Sequence, residues 1–366
     1  MSFVGEGCFF FVAGTCRAFR DTYKSYLQQN ENPSATNMEN VVASVPCLQM
    51  AINELSIDDG KFYDLRKTFK WRKQSFHFLA AVIRCAAYNG RFNVLKWTKF
   101  IDWHGGPICS FLCDEAARGG QLKVLQWLRS EAGGKCGWNE MTCSYAALNG
   151  HLELIKWAHQ NGCPWDKDTC RCAAWNGHLE LIKWAHHNGC PWDESTCTNA
   201  ARNGNLEMLR YVREMKCPWN EDVCAKAASS GNLEILKWAH QNGCPWDKKV
   251  CINAAAEGQF ELLKWAHENG CPWDEDVCSY AAEHSQYEIL KWLHQSGCPW
   301  DAETCSSLAL NGNLEILKWA RLRGCPWNEN TCCSALYNGH QDIFEWARTN
   351  GCPYDIRAQV EYDSLF

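Results

Sequence analysis

The chain has no stretch approaching the ~20 apolar residues that a membrane span requires, and its 36 lysines and arginines are outnumbered by 42 acidic residues. A net charge of -6 excludes a polybasic nucleic-acid binder on bulk charge alone. No basic segment precedes the short apolar run from Cys8 to Gly14, so no signal peptide is expected. A Gly-rich phosphate loop, a GxSxG motif and an HExxH motif are all missing, and no catalytic constellation replaces them. With 46% apolar and 13% aromatic residues the composition is nevertheless that of a packed protein, not a disordered one. Two residue types are in excess: 25 cysteines and 20 tryptophans.

Their positions reveal a repeat. Cys136, Cys163, Cys190, Cys217, Cys244, Cys271, Cys298, Cys325 and Cys352 follow one another at intervals of 27 residues. A second series, Cys143, Cys170, Cys197, Cys224, Cys251, Cys278, Cys305 and Cys332, runs seven residues behind the first. The unit recurs eight times over 136–351, with a partial ninth at 352–366. Gly90, Gly120 and Gly150 are 30 residues apart, so two looser units precede the regular ones, and about ten units fill the chain from roughly residue 80. Residues 36–54 have the look of one more degenerate unit. A fixed period of this length signals stacked structural repeats.

Within one unit, Asp166 is placed to cap a helix through Cys170, Ala173 and Ala174 that stops at Gly177. A second helix starts at His178, carries Leu179, Leu181, Ile182, Trp184 and Ala185, and ends at Gly189 with Pro191 beyond. Helices this short are unstable alone, so neighbouring units must bury one another's apolar faces. The expected fold is an all-α solenoid of stacked helix-turn-helix repeats.

The stretch from Thr169 to Glu180, TCRCAAWNGHLE, resembles the TPLHxAAxxGHxE signature of the ankyrin repeat, and Gly189 to Asp193 sits where that family has Gly-Ala-Asp-Val-Asn. The period is about six residues shorter than the family's 33, the shortfall falling between Asp193 and Thr196 where an ankyrin unit places its hairpin finger. Cysteine also stands where the family has Pro after Thr. The sequence is similar to the short, finger-poor arrays of protists, algae and large DNA viruses. The resemblance implies a protein-binding scaffold.

The recurring His159, Cys163 and Cys170 suggest zinc, but the histidine column reads His159, His186, Arg213, His240, His267, His294, Arg321 and Arg348, and arginine is not a usable ligand. A basic residue in the last helical turn instead complements the dipole. No metal and no cofactor are expected. Disulfides between equivalent cysteines fail because stacked helices lie about 8–10 Å apart and a bridge needs Cα atoms within about 7 Å. A bridge within one unit, such as Cys163 to Cys170, stays open; free thiols packed as small hydrophobes are the favoured reading. The tryptophans fall in two columns, one in the connector (Trp138, Trp165, Trp192 onward) and one in the second helix (Trp157, Trp184, Trp238 onward). They read as packing between units rather than a groove for Pro-rich peptides.

On a helical wheel of the first helix, Asp168, Cys172 and Trp175 oppose the apolar side, and copies differ most along this stripe. Its middle position holds Tyr145, Asn199, Lys226, Asn253 and Tyr280; its last holds Leu148, Trp175, Arg202, Glu283, Leu310 and Tyr337. These residues, with Arg171, are the candidate partner-binding positions. Ankyrin-like arrays place contacts just before the Gly-His turn, which the resemblance carries over to this stripe. An exposed surface drifting without constraint would vary in the same way.

Residues 1–79 have a different character and are expected to form a helical cap or head. Val12 to Tyr23 resembles the closing helix of an F-box over about 15 residues, without that family's leading Leu-Pro helix. Lys61 to Lys73 carries six basic residues among aromatics, and reads as an amphipathic helix with a wet face. The tail 352–366 fits a C-terminal cap. The expectation is therefore a monomeric, non-enzymatic scaffold of cytoplasm or nucleus that binds a partner protein, not a membrane. Two alternatives stand behind it: a substrate-recognition subunit of a ubiquitin ligase using residues 8–25, and single-stranded nucleic-acid binding by helical repeats, which the acidic charge disfavours.

Overall fold

The computed structural model describes residues 83–98, 107–130 and 136–354. Two compact units divide the chain, Met1–Trp192 and Asp193–Phe366. In the first, a helical stretch at 83–88 is followed by α1 (Phe92–Thr98), α2 (Pro107–Arg118), α3 (Leu122–Arg129), α4 (Glu140–Leu148), α5 (Leu152–Gln160), α6 (Lys167–Trp175) and α7 (Leu179–His187). The second contains α8 (Glu194–Asn203), α9 (Leu206–Glu214), α10 (Glu221–Ser229), α11 (Leu233–Gln241), α12 (Lys249–Ala256), α13 (Phe260–Glu268), α14 (Glu275–Glu283), α15 (Tyr287–Gln295), α16 (Ala302–Leu310), α17 (Leu314–Leu322), α18 (Glu329–Tyr337) and α19 (Gln341–Thr349). Each unit is a stack of helix-turn-helix repeats, and among the described residues there is no strand. The head expected at 1–79, its F-box-like stretch and the tail beyond Tyr354 lie outside the described residues.

The first helix of each regular repeat except α12 begins at a side-chain cap. Asn139, Asp166, Asp193 and Asn220 each adopt extended backbone and accept a hydrogen bond from the amide two residues on, at 3.0–3.2 Å. Each cap satisfies one of the amides that a helix start leaves without a partner. The helix then runs through the Cys-x-x-Ala-Ala core, whose members Cys170, Ala173 and Ala174 are fully buried. Small residues here let the first helices of adjacent repeats approach closely, α2 on α4 and α4 on α6 in one unit, and α8 on α10 through to α18 in the other. The second helices contribute the larger core groups, among them Ile155, Ile182, Leu236 and Leu263.

The turn between the helices is closed from the next repeat. His178 Nε2 lies 3.3 Å from the carbonyl of Leu148, and His151 and His340 reach Arg118 and Leu310 in the same way. These carbonyls lie at a helix end, where the helix itself supplies no donor; that of Leu148 also accepts from the Asn176 side-chain amide at 2.5 Å. Gly150 takes φ +75, and a Cβ there would meet the His178 ring at 2.6 Å. The Gly-His dipeptide is thus an interlock between successive repeats.

The cysteine series form a second interlock. Cys190 donates its thiol to the carbonyl of the cap residue Asp166 at 3.3 Å, Cys217 to Asp193 at 3.3 Å and Cys352 to Asn328 at 3.2 Å. Free thiols are found along both series as expected, with Cys136 the exception, which is disulfide-bonded. Where a connector thiol meets another cysteine, that neighbour is not the cysteine seven residues on. In seven repeats, from Cys163 to Cys352 with Cys190 left out, it is the cysteine 20 residues earlier, in the first helix of the preceding repeat, as in Cys197 with Cys217 and Cys224 with Cys244.

Candidate protein-binding face

The face opposite the Cys-x-x-Ala-Ala core carries the candidate residues, and the two units present it differently. In the first, Trp175 at the end of α6 is 44% exposed, while Tyr145, Leu148 and Arg171 are half-buried. The Arg118 guanidinium lies 6.0 Å from the Tyr145 ring centre, and Arg171 Nε contacts Asp168 at 2.8 Å. Phe111 on α2 and Met141 on α4 extend the same face and are 52% and 43% exposed. Sequence reasoning passed over both. They occupy the first position of the stripe, where later repeats carry Asp168, Ser195, Asp222 and Lys249, and two apolar side chains in a polar column were the available signal.

In the second unit Arg202, Lys226, Tyr280, Glu283, Leu310 and Tyr337 are exposed, Tyr337 at 58%. Two of the candidates lie elsewhere. Asn199 is buried, and Asn253 is half-buried with its side-chain amide donated to the Ala225 carbonyl one repeat back at 3.1 Å. The middle column of the stripe lies at the seam between adjacent first helices, so only long or bulky side chains such as Lys226 and Tyr280 emerge from it. Beside this column Lys248 bridges Asp274 and Asp276, and Lys249 pairs with Asp222 at 3.3 Å. The second unit therefore presents mixed charge with isolated aromatic and aliphatic groups, whereas the first presents a more apolar surface.

The tryptophans pack as the sequence suggested. Connector Trp165 meets second-helix Trp184 edge to face at 5.7 Å, and the same pair recurs at Trp246 and Trp265 and at Trp300 and Trp319. The basic column stacks on the connector ring: His159 on Trp165 at 3.7 Å, His267 on Trp273 at 3.7 Å, and Arg213 over Trp219 at 3.9 Å. Burial holds the His186 and His294 rings below the usual imidazole range, with His187 and Arg323 adding to it. Where arginine replaces histidine it also donates to the connector carbonyl, Arg213 to Cys217 and Arg321 to Cys325. This column completes helix ends and covers aromatic rings. Among the described residues no group of three or more His, Cys, Asp or Glu side chains is arranged to hold a metal ion.

The fold and this periodic interlocking define a helical-repeat protein. The family model described as ankyrin repeats (many copies) matches residues 143–186, which span α4 to α7 but for their outermost residues. Over these residues the chain is ankyrin-repeat-like. The human ASB11 ankyrin repeat domain is similar to it with 17% identity and a TM-score of 0.37, over 43% of this chain and 84% of that one. The pentatricopeptide repeat protein PPR10, solved with an 18-nt psaJ RNA element, is similar with 13% identity and a TM-score of 0.45, over 86% of this chain and 53% of that one. The chain thus spans about half the length of that repeat protein. No curated protein matches the sequence. Ankyrin repeats are in general protein interaction modules, typically without enzymatic activity, and no helix among the described residues is long and apolar enough to cross a membrane.

Proposed function

We propose that the chain is a non-enzymatic scaffold that binds a partner protein through the exposed stripe of its first helices. The observation that carries this reading is the exposure of large side chains on the outer side of otherwise closely packed first helices: Trp175, Tyr280, Leu310 and Tyr337 stand clear of the core at 40–58% exposure. Isolated exposed apolar groups are ordinary on any surface. Here Trp175, Leu310 and Tyr337 recur at one register of the repeat, with Tyr280 in the adjoining column, on the face that the ankyrin family uses, and aromatic residues there match the composition of interface hot spots. In the first unit Phe111 and Met141 enlarge the same surface. Arg202, Lys226 and Glu283 would supply rim contacts that set specificity more than affinity.

The test is a pull-down from cell lysate with the chain and with a variant carrying Trp175→Ala, Tyr280→Ala and Tyr337→Ala, after both show equal helicity. Loss of a specific protein from the variant supports the reading. Retention of the full partner set, or of ubiquitin-ligase components that persist when the repeats are removed, would assign function to the head instead.

A further inference from the structure

Helix α9 departs from the other second helices in its charged side chains. Most copies place lysine and histidine three residues apart on this helix, as in Lys183 and His186 or Lys264 and His267, where α9 has Arg210 and Arg213. The common lysine is neutralised within its own helix: Lys156, Lys183, Lys264, Lys291 and Lys318 each pair with the glutamate three residues before, at 2.7–3.2 Å. Arg210 and Arg213 are in no ion pair among the described residues, and Glu214 beside them bonds to neither. Arg213 sits 3.9 Å over the Trp219 ring centre and donates to the Cys217 carbonyl. Arg210 lies 5.9 Å from the Trp238 ring centre, and the two indoles meet edge to face at 6.0 Å. With Glu214 and Asn242, these four side chains line one concavity of about 450 Å³ between α9 and α11. We infer that this concavity binds a phosphate monoester carried on an aromatic ring, the phosphotyrosine side chain of a partner protein.

The arginines supply the first half of the argument. A guanidinium has five N–H donors, and Arg213 spends only part of them on Cys217, which fixes its plane without neutralising it. Two cations three residues apart on one helix repel each other. A dianionic phosphate ester relieves that repulsion and accepts charge-assisted bonds from both, whereas a carboxylate carries a single charge.

The rings supply the second half. The tyrosine ring is flat and apolar, so it can lie against Trp219 and Trp238 while its phosphate reaches the arginines; phosphoserine has no ring to place there. A nucleotide has one, but its base and sugar need polar partners. The neutral polar group of the wall, Asn242, already donates its amide to the Trp238 carbonyl at 2.7 Å. Arg210, Glu214 and Asn242 are exposed, so the concavity opens to solvent, a form that suits a side chain presented by another surface more than an enclosed small molecule. Glu214 opposes every anion and so favours the one of highest charge. The repeat at Arg321 is an internal contrast: Arg321 covers Trp327 at 3.9 Å, but Lys318 at the position of Arg210 is tied to Glu315.

The experiment titrates the full chain by calorimetry with a short phosphotyrosine peptide otherwise of Gly and Ser, with its phosphoserine and unphosphorylated counterparts, and with adenosine monophosphate. The phosphotyrosine peptide is expected to bind about tenfold or more tightly than each of the others. The double variant Arg210→Lys, Arg213→His installs the residues that other repeats carry at these positions, so its helicity should match, and it should lose about tenfold or more of that affinity. Glu214→Gln should bind the same peptide more tightly. No binding of the phosphotyrosine peptide, equal affinity for the phosphoserine peptide, tighter binding of adenosine monophosphate, or unchanged affinity in the double variant would each overturn the proposal. None of these outcomes depends on the first-helix stripe, which the variants leave intact.

Discussion

Lys216 and Ser285 hold φ of 61 and 59 at positions where other repeats place glycine. A side chain in left-handed backbone costs about 1 kcal/mol that glycine avoids. Lys216→Gly and Ser285→Gly are each expected to stabilise the chain by about 1 kcal/mol in chemical denaturation; no gain would mean that the turn is strained elsewhere. The buried threonines divide in a similar way. Thr142 donates to Asp114 at 2.6 Å, whereas the Thr196 hydroxyl is buried without a partner. Thr196→Val should change stability by under about 0.5 kcal/mol, while Thr142→Val removes a bond to a buried carboxyl and should cost about 1–3 kcal/mol at neutral pH. Burial pushes the Asp114 carboxyl above 3.8, with the Thr142 bond opposing and Glu115 adding to the rise. The native chain therefore keeps this proton where the unfolded chain has released it, and the site's stabilisation is present in acid and lost as pH rises through the raised value. Asp114→Asn should flatten that fall in a pH series of denaturation midpoints; an unchanged slope would assign it to other groups.

At the scale of the element, the first helices are specified locally and the second helices by their neighbours. Asp166, Asp193 and Asn220 cap from within their own repeat, so the sequence alone identified a cap of this kind. Asp193→Ala should cost about 1 kcal/mol, measured against Ser195→Ala as a control for the neighbouring hydroxyl. The second helix has no such device in most copies. His178 starts one without a side-chain cap and spends its ring on the Leu148 carbonyl of the preceding repeat. Gly150→Ala is expected to cost more than the glycine columns that face open space, such as Gly162, because its Cβ would also displace that ring. Equal losses at Gly150 and Gly162 in thermal unfolding would show that φ alone sets the cost. None of this inter-repeat use of His178 could be read from its own helix, where it looked only like a starting residue.

For the whole molecule, the charge balance separates the readings of function. A chain with net charge -6 that binds a protein through aromatic and aliphatic side chains should lose less than about tenfold in affinity between 50 and 200 mM salt, whereas six to ten phosphate contacts would lose about 10³–10⁵. A steep salt dependence would return the helical-repeat nucleic-acid reading to first place. The period, the two helices of each repeat, their caps and their glycine stops were legible in the sequence because each is set by residues close along the chain and is repeated eight times. The exposed stripe at Trp175, Tyr280 and Tyr337 was legible for the same reason, since helical periodicity puts it opposite the alanine pair. What lay beyond the sequence depended on the distance between neighbouring repeats. The burial of Asn199, the exposure of Phe111 and Met141, and the pairing of Cys332 with Cys352 rather than with a cysteine seven residues away are consequences of how closely one first helix lies against the next. A one-dimensional period fixes which residues are equivalent; only packing between repeats decides which of them touch.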